Sequence, residues 1–495
     1  MVGSRRADTR ARRDLLQHAF RRSGAGDRRR YGIERGVVSV HMKPMFRFAR
    51  ALSLIAMAWL ATVQPAAAQS VLRDAETEAL FRDMARPLVE AAGLSPANVR
   101  VVLINDREIN AFVAGGQIVY VHSGLIEAAD NINQVQGVVA HEIGHIVGGH
   151  VPLSDRMFAG ATGISILSLV LGIAAVAAGA GDAGAGILAA GQQAAMGKVL
   201  AFSRAQEATT DAAGVKFLGT AGVSGQGMLE FFKKLQQQEY RLGLKRSEHS
   251  YATSHPFSAD RIAALQADLR ASPAWGKKTD PALEARFQRV RAKLIGYLDD
   301  PKQVLNRYPG TDGSITAHYA RAYAYHRAGF PDEAAAEAAA LVKAAPDDPY
   351  FLEVQGQILL ESGKPEQALT PLRRATELTR NSPLIATTFG HALLATDDRT
   401  NLKEAERVLR SAVARDDDNP FAWFQLGSVW ERLGDQPRVA LATAERSNRM
   451  GDPGRALVSA RAAMAGLPKG TSDWLRAQDI AMVSQSAMED GRRRR

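Results

Sequence analysis

Hydrophobic residues recur with a helical period at the start of the chain and then with the spacing of short strands. Leucine and methionine recur at helical spacing across residues 70–95, which predicts an opening helix. The β-branched run 99–104 predicts a strand, and the apolar runs 109–113 and 117–121 flank two glycines and predict a hairpin. Residues 131–135 lead into a second helix. We therefore expect a helical unit with a small β-hairpin or sheet in this half.

The second half of the chain repeats itself every 34 residues. Gly329 and Gly363, Ala334 and Ala368, and Pro349 and Pro383 are each separated by that interval. This period is typical of tetratricopeptide (TPR) helical hairpins. The clearest copy begins at Trp423, and an insertion near Ala405 lengthens the interval from Pro383 to Pro420 to 37. Because one hairpin cannot bury its apolar face alone, several should stack into a solenoid.

These patterns predict a mainly α protein with consecutive domains. The first structural unit should span residues 69–270 and the TPR repeats residues 313–480. Between them, residues 271–312 contain four prolines and are predicted to form a connector with one helix around 285–298. Residues 481–495 end in four arginines and are predicted to be a disordered basic tail. We favour protein binding on the concave face of the repeats over a purely stabilising role.

A long apolar stretch interrupts the first unit at residues 157–197. Residues 157–181 carry no charge, and neither do residues 183–197. The length of the first run suggests a transmembrane helix. However, it is rich in glycine and alanine, the second run is short, and the turn between them has no lysine or arginine. We favour an apolar hairpin that acts as a lid or touches a membrane surface, and keep the membrane-spanning hairpin as the alternative.

The basic charge of the chain is confined to its beginning. Residues 1–50 hold 14 Lys and Arg against 4 Asp and Glu, a net of +10, and the whole chain is also +10. Residues 51–495 are therefore neutral overall, which gives no support for nucleic-acid binding. The chain has no cysteine, so disulfides, cysteine-based zinc sites and lipoprotein anchoring are excluded.

Residues 42–68 have the layout of a bacterial secretory signal. Three basic residues precede the apolar segment 51–63, and three alanines end at Ala68, where we expect cleavage. An uncleaved anchor is the alternative, but the apolar segment is short for a membrane span. Residues 1–41 would then be an unstructured extension, or Met42 or Met45 the true start. The signal predicts a periplasmic protein, with membrane association left open.

The strongest chemical signal is His141-Glu142-Ile143-Gly144-His145. Histidines four apart share one helical face, so their imidazoles can converge on one metal ion. Glu142 is adjacent to the first histidine and could take a proton from a metal-bound water. This is the HExxH arrangement of zinc peptidases, although three fixed positions also occur by chance as a structural histidine pair.

The third metal ligand has to come from elsewhere in the chain. One class of zinc peptidases has a third histidine six residues after the second, but that position is Val151 and His150 is out of register. Glu207 and Asp211 are four apart on a predicted helix. Glu207 could complete a His₂Glu site, and Asp211 could accept the other ring N–H of a ligating histidine. Arg204 could brace a carboxylate, against the ordinary alternative of a solvated charged helix face.

A further histidine lies in Ser254-His255-Pro256. His255 could approach the metal as a transient fourth ligand or donate to a developing oxyanion. A histidine in a surface loop is the competing interpretation. His249 and His150 lack such a context, and we interpret them as structural.

Taken together, these motifs resemble the HtpX/BepA-type zinc metallopeptidases of peptidase family M48. The resemblance covers about residues 72–270, in the family's order, and includes the hairpin at Asn110-Ala111-Phe112 and Arg261 after Ser254-His255-Pro256. It implies a gluzincin-type fold with one Zn²⁺ per chain on His141, His145 and Glu207. Gln134 and Thr210 depart from the usual residues, an acid and an alanine, but neither is a ligand.

The sequence therefore predicts a periplasmic zinc endopeptidase with Glu142 as general base. The hairpin at 110–121 could offer an edge strand to an extended substrate, which favours unfolded or misassembled proteins. The resemblance implies quality control of outer-membrane β-barrel proteins, with a TPR partner such as the barrel assembly machinery. The alternative is a chaperone or scaffold in which proteolysis is weak or latent.

Overall fold

A computed structural model describes residues 70–150, 181–241, 255 and 259–493. The predicted signal, the extension before it and the first arm of the apolar insert lie outside the described residues. Residues 183–197, predicted as the second arm, lie in a helix that runs from Gly181 to Ala221. Within the described ranges, no helix combines the length and apolar character needed to cross a membrane.

A four-stranded sheet lies at the start of the first unit. Its strands are β1 (Ser70–Leu72), β2 (Arg100–Asn105), β3 (Ala111–Ala114) and β4 (Ile118–His122), in the order β1-β2-β4-β3. β2 and β4 are parallel, whereas β1 and β3 pair antiparallel with them. The predicted strand and hairpin correspond to β2, β3 and β4. β3 lies at one edge of the sheet, which leaves one side of its backbone unpaired within the sheet.

Six helices of the described residues pack with this sheet. They are α1 (Ala75–Ala91), α2 (Ser123–Ala128), α3 (Ile132–Gly148), α4 (Gly181–Ala221), α5 (Gln226–Arg241) and α6 (Ala259–Ala271). The opening helix therefore starts later than its leucine spacing predicts, because Leu72 belongs to β1. One hydrophobic core joins the sheet to these helices, with Leu80, Val121 and Val139 fully buried in it.

α3 is the central helix of this core. The Asn131 side chain accepts a hydrogen bond from the Gln134 N–H at 3.0 Å and caps the helix start. Every residue from Ile132 to Gly144 is buried. A Cβ at Gly137 would lie 2.5 Å from the Met228 Cα, so α3 and α5 touch through their backbones. Such a helix is held rigidly in place, which positions the side chains on its inner face.

The second half consists of consecutive antiparallel helix pairs. They are α9 (Ile315–Ala328) with α10 (Pro331–Ala344), α11 (Pro349–Glu361) with α12 (Pro365–Leu378), α13 (Pro383–Ala395) with α14 (Arg399–Arg415), α15 (Pro420–Leu433) with α16 (Gln436–Arg449), and α17 (Pro453–Gly466) with α18 (Ser472–Arg493). A proline starts most of these helices, where its missing N–H costs nothing. These pairs form the predicted TPR α-solenoid.

The end of the chain differs from the prediction of a disordered tail. α18 continues to Arg493, with Ala477, Ile480 and Ser484 buried. Ile480 packs with alanines of α16 and α17. The basic composition of the last residues suggested disorder, but the apolar face of the helix holds it against the solenoid.

The predicted connector is instead an integral part of the fold. It contains two helices, α7 (Pro281–Leu298) and α8 (Pro301–Arg307), rather than one. Phe287, Val290 and Leu294 of α7 are buried in the core of the first unit. On its other side, α7 packs against α9 of the first repeat. The two halves therefore share α7 as a common helix.

A buried ionic cluster reinforces this junction. Lys293 of α7 pairs with Asp74, which caps the start of α1. Arg289 of α7 donates to Glu76 of α1 at 2.5 Å and forms an ion pair with Asp348, before α11, at 2.6 Å. The Tyr319 hydroxyl of α9 donates to Glu76 at 2.7 Å. Charged groups buried at this depth require such complete pairing.

Candidate metal centre

The two histidines of the HExxH motif face each other on α3. The two residues are one helical turn apart, and their Nε2 atoms are separated by 3.2 Å. His141 is completely buried, and Glu142 between them is 1% exposed. Because α3 is fixed by packing on all sides, the two rings are held together before any ligand arrives. This preorganisation is what a metal site requires.

α4 brings the carboxylate predicted as the third ligand to the same place. Glu207 Oε2 lies 3.4 Å from His141 Nε2, and Glu207 Oε1 lies 3.5 Å from His145 Nε2. One turn further along α4, Asp211 Oδ1 lies 2.9 Å from His141 Nδ1. Asp211 thus contacts the ring nitrogen of His141 that points away from the cluster, where it can fix the tautomer that leaves Nε2 free to ligate.

His255 also joins this cluster. Its Nδ1 lies 2.9 Å from Glu207 Oε1 and 3.3 Å from His141 Nε2. Its other ring nitrogen, Nε2, lies 3.6 Å from Glu142 Oε1. His255 is 6% exposed, so it is not a surface histidine. Through its two ring nitrogens, His255 therefore contacts His141 and Glu207 on one side and Glu142 on the other.

The spacing of these donor atoms fits a tetrahedral ion. His141, His145, Glu207 and His255 each offer one ligand atom, and these atoms lie within 4.8 Å of one another. Ligands at zinc–nitrogen and zinc–oxygen distances of about 2.0–2.1 Å occupy tetrahedron corners separated by roughly 3.3 Å. Five of the six separations between these residues run from 2.9 to 3.5 Å, with the two Glu207 oxygens facing different histidines. Three imidazoles and one carboxylate are also ligand types that zinc accepts.

Electrostatics prepare the site for a cation. Burial would raise the pKa of Glu207, but its electrostatic interaction with His255 and hydrogen bonds with His141 and His145 hold it well below its usual range. Burial also opposes ionisation of Asp211, yet hydrogen bonds with Arg261 and His141 lower its pKa. Both groups are therefore carboxylates at neutral pH.

The two motif histidines differ in their proton affinity. Burial alone would lower the pKa of His141, but hydrogen bonds with Asp211 and Glu207 raise it to about 9. Burial lowers the pKa of His145 to about 4. Because a ligating histidine must give up its proton, a cation binding at His141 displaces one proton, whereas His145 is already neutral.

The arginine that braces the carboxylates is not the one predicted. Arg204 is exposed on α4. Arg261 of α6 instead lies 2.6 Å from Asp211 Oδ2 through Nε and 2.9 Å from Glu207 Oε2 through Nη1. Arg261 lies 50 residues after Asp211 in the chain, so helical spacing on α4 could not predict this contact. Arg261 stood in the family motif, which was the available signal.

His150 is also closer to the centre than predicted. Its Nδ1 lies 2.9 Å from His145 Nδ1, and its ring is 9% exposed. Gly149 ends α3 with a φ of 60°, which turns the chain so that the next residue folds back beside the helix. His150 is out of register as a ligand, yet it contacts a ligand. His249 lies outside the described residues.

The predicted substrate-binding residues occupy the edge of the sheet. Ala111 and Phe112 start β3, and Asn110 immediately precedes it. The Phe112 ring stacks on Tyr120 of β4 with centroids 5.2 Å apart. β3 and α3 are in contact, so this edge strand belongs to the same packed unit as the histidines.

The motif, the ligand cluster and the small sheet with an edge strand beside the central helix together define a metallopeptidase. Residues 72–269 match the family model for peptidase family M48, and the chain carries an M48 metallopeptidase domain over that range.

Known relatives match different shares of the chain. The chain is similar to the beta-barrel assembly-enhancing protease of Escherichia coli (strain K12), with 27% identity over 69% of each chain. It is 26% identical to the putative beta-barrel assembly-enhancing protease of Vibrio cholerae, over 76% of this chain and 77% of that protein. Metalloprotease LoiP of Escherichia coli (strain K12) is 31% identical over 34% of this chain and 60% of that protein.

Among solved structures, the chain is similar to YrrB, described as a TPR protein with an unusual peptide-binding site. The two are 19% identical, over 35% of this chain and 91% of that chain, with a TM-score of 0.30. The repeat fold of this chain is established by its own helix pairs and their 34-residue period.

Proposed function

We propose that the chain is a zinc endopeptidase of the bacterial periplasm that degrades misfolded or unassembled envelope proteins. The observation that carries this proposal is the convergence of His141, His145 and Glu207 on one point, with Glu142 buried beside them. When bound there, Zn²⁺ would polarise the scissile carbonyl and lower the pKa of its water toward ~7.

The residues of the chain divide the remaining work. Glu142 takes the proton of the attacking water and passes it to the leaving amine. Asp211 holds the His141 ring through Nδ1, and Arg261 holds Asp211 in turn. This chain of contacts fixes the orientation of the ligands, which keeps the reacting atoms aligned.

The edge strand supports an extended substrate. Among the described strands, β3 pairs with β4 alone, so the other side of its backbone offers an edge for a peptide by strand addition. Folded proteins keep their strands paired, whereas unfolded or unassembled chains expose them. The edge therefore favours substrates that have failed to fold, including β-barrel proteins of the outer membrane.

His255 supports a resting state in which proteolysis is suppressed. A catalytic zinc site keeps one position open for water, whereas four protein ligands close it. His255 Nδ1 lies 3.3 Å from His141 Nε2 and would supply a fourth protein ligand beside His141, His145 and Glu207. We infer that His255 closes the centre at rest and must move away before water can bind.

The repeats support recruitment of a protein partner. Phe421 and Phe424 of α15 are almost half exposed, whereas Phe351 of α11 and Phe389 of α13 are buried. The names of the E. coli and V. cholerae relatives point to assembly of β-barrel proteins. We propose that the repeats bind the outer-membrane assembly machinery or its clients.

A scaffold or chaperone for outer-membrane protein assembly is the second candidate. The observation that favours it is the closed ligand set, because a centre shut by His255 would cleave little. In that case the TPR surface would supply the main activity, and proteolysis would be a latent reserve.

The Glu142→Gln substitution separates the two candidates. The variant should bind as much Zn²⁺ as the unchanged chain, since Glu142 is not a ligand, but should lose cleavage of an unfolded outer-membrane protein. Metal content is measured alongside turnover in both proteins. Unchanged turnover would rule out the peptidase mechanism, and rescue of barrel assembly by the variant in cells would establish the scaffold role.

A further inference from the structure

Each histidine of the motif has a second ring nitrogen that points away from the ligand cluster. For His141 this nitrogen contacts Asp211, as described above. For His145 it contacts another imidazole, since His145 Nδ1 lies 2.9 Å from His150 Nδ1. Their ring centroids are 5.0 Å apart in a T-shaped arrangement. The two ligands are therefore supported by partners of different chemistry.

The metal requirement decides the protonation of this pair. His145 can ligate through Nε2 only as the tautomer that carries its proton on Nδ1. That N–H then donates to His150 Nδ1, which must accept and so carries its own proton on Nε2. A neutral imidazole in this tautomer can hold His145 in the ligating form without adding charge to the site.

Thr210 contacts the same nitrogen of His150 as His145 does, so the Thr210 O–H and the His145 N–H share the Nδ1 lone pair. Thr210 Oγ1 lies 3.1 Å from His150 Nδ1, and the residue is completely buried on α4. A Cβ at Gly144 would lie 2.9 Å from Thr210 Cγ2, so Thr210 packs directly on the backbone of α3. The hydroxyl of Thr210 is therefore held in place next to the His150 ring.

The local backbone is shaped to admit the ring. A Cβ at Gly148 would collide with the His150 imidazole. Gly149 adopts the left-handed conformation that turns the chain back toward α3. These two glycines let the ring lie flat against the last turn of the helix, within hydrogen-bond distance of His145.

We propose that His150, held by Thr210, is a positioning residue that fixes the tautomer and rotation of His145. The inference rests on the proposed metal centre, because it concerns how a ligand of that centre is held. His150 acts through His145 and does not touch the substrate. This positioning role predicts that the zinc affinity depends on His150, a residue outside the ligand set.

The test measures zinc affinity by competition with a chelating dye in the full chain. Removing the partner of a ligating histidine typically weakens metal binding about 10- to 100-fold. We expect His150→Leu to show a loss of that size, and His150→Asn to retain most of the affinity, because its side-chain oxygen can accept where Nδ1 did. The absorption spectrum of the Co²⁺-loaded protein should change in the leucine variant and remain close to the original in the asparagine variant.

Thr210→Val extends the test, with Thr209→Val as its matched control. Thr209 precedes Thr210 on the same helix, but it is exposed and bonds to the carbonyl oxygens of Ala205 and Gln206. We expect Thr210→Val to bind zinc more weakly than the unchanged chain, and Thr209→Val to bind it as tightly as the unchanged chain.

The outcomes distinguish this inference from the proposed function. If the unchanged chain binds no zinc, the proposed function fails. If it binds zinc and His150→Leu matches it in affinity and in Co²⁺ spectrum, His150 is not a positioning residue. If circular dichroism shows that His150→Leu does not fold, the valine pair decides, and equal affinity of Thr210→Val and Thr209→Val overturns the inference.

Discussion

Arg261 offers the sharpest test of how the centre is held together. It is the buried cation between two carboxylates, with one hydrogen bond of 2.9 Å from Nη2 to Asp211 Oδ1 in addition to its ion pairs. Replacement by methionine keeps most of the side-chain volume but leaves Glu207 and Asp211 without this partner. We expect the substitution to destabilise the packing of α4 against α6 and to loosen His141.

The size of the effect follows from the contacts. Removing one member of a buried ion pair costs about 3–5 kcal/mol. His141 still donates to Asp211, and His255 still contacts Glu207, so the loss should lie near the lower value, about 3 kcal/mol. Arg261→Lys keeps the charge but cannot present the planar fork that spans both carboxylates, so its loss should be smaller but measurable.

Hydrogen exchange provides the assay. The free energy of local opening is measured for peptides of α4 and α6 in the metal-free protein, at increasing urea. Arg270→Met is the control, because Arg270 is an exposed arginine of the same helix. Surface substitutions change stability by roughly 0.5 kcal/mol or less. A methionine variant at position 261 that behaves like this control would refute the role assigned to Arg261.

Two further predictions concern Glu353 and His255. Burial raises the pKa of Glu353 to about 8. Between the ordinary glutamate pKa and 8, the folded chain therefore carries a proton on Glu353 that the unfolded chain lacks. The free energy of unfolding consequently falls by up to about 1.4 kcal/mol per pH unit as pH rises through that range. Glu353→Gln should flatten this slope in thermal melts recorded from pH 5 to 8, and an unchanged slope would assign it to another group. His255→Ala should raise peptidase turnover on the order of tenfold, which corresponds to about 1.4 kcal/mol in the opening equilibrium. A roughly 100-fold fall would show instead that His255 donates to the oxyanion.

Local sequence patterns were enough to predict the elements whose residues lie close together in the chain. Histidines four apart necessarily share a helical face, and a 34-residue period requires a repeating helical hairpin. Glu207 and Asp211 could be paired in the same way, since both lie on one stretch of α4. Where these patterns applied, the structure places the elements close to their expected positions.

Contacts between distant segments could not be predicted in this way. Arg204 shares a helical side with Glu207 by its spacing, but only the packing of α6 determines which arginine reaches the carboxylates. β1 is three residues long and exists because it pairs with β2, so no periodic signal marks it. His150 follows a helix-ending glycine whose turn, rather than sequence spacing, brings the ring to His145.

The shared helix α7 determines the distance between the two halves of the molecule. Lys293 and Arg289 of α7 are bonded to α1 on one side, and α7 contacts Asp348 and the first repeat on the other, so ion pairs and packing hold this joint. A protein bound to the last repeats would therefore be held at a fixed distance and angle from the metal centre, rather than by a flexible linker. Only clients with an exposed strand at the matching distance would gain from being bound, because a rigid spacer gives no advantage to sites it cannot span. The length of the repeat array would then be a determinant of what is cut.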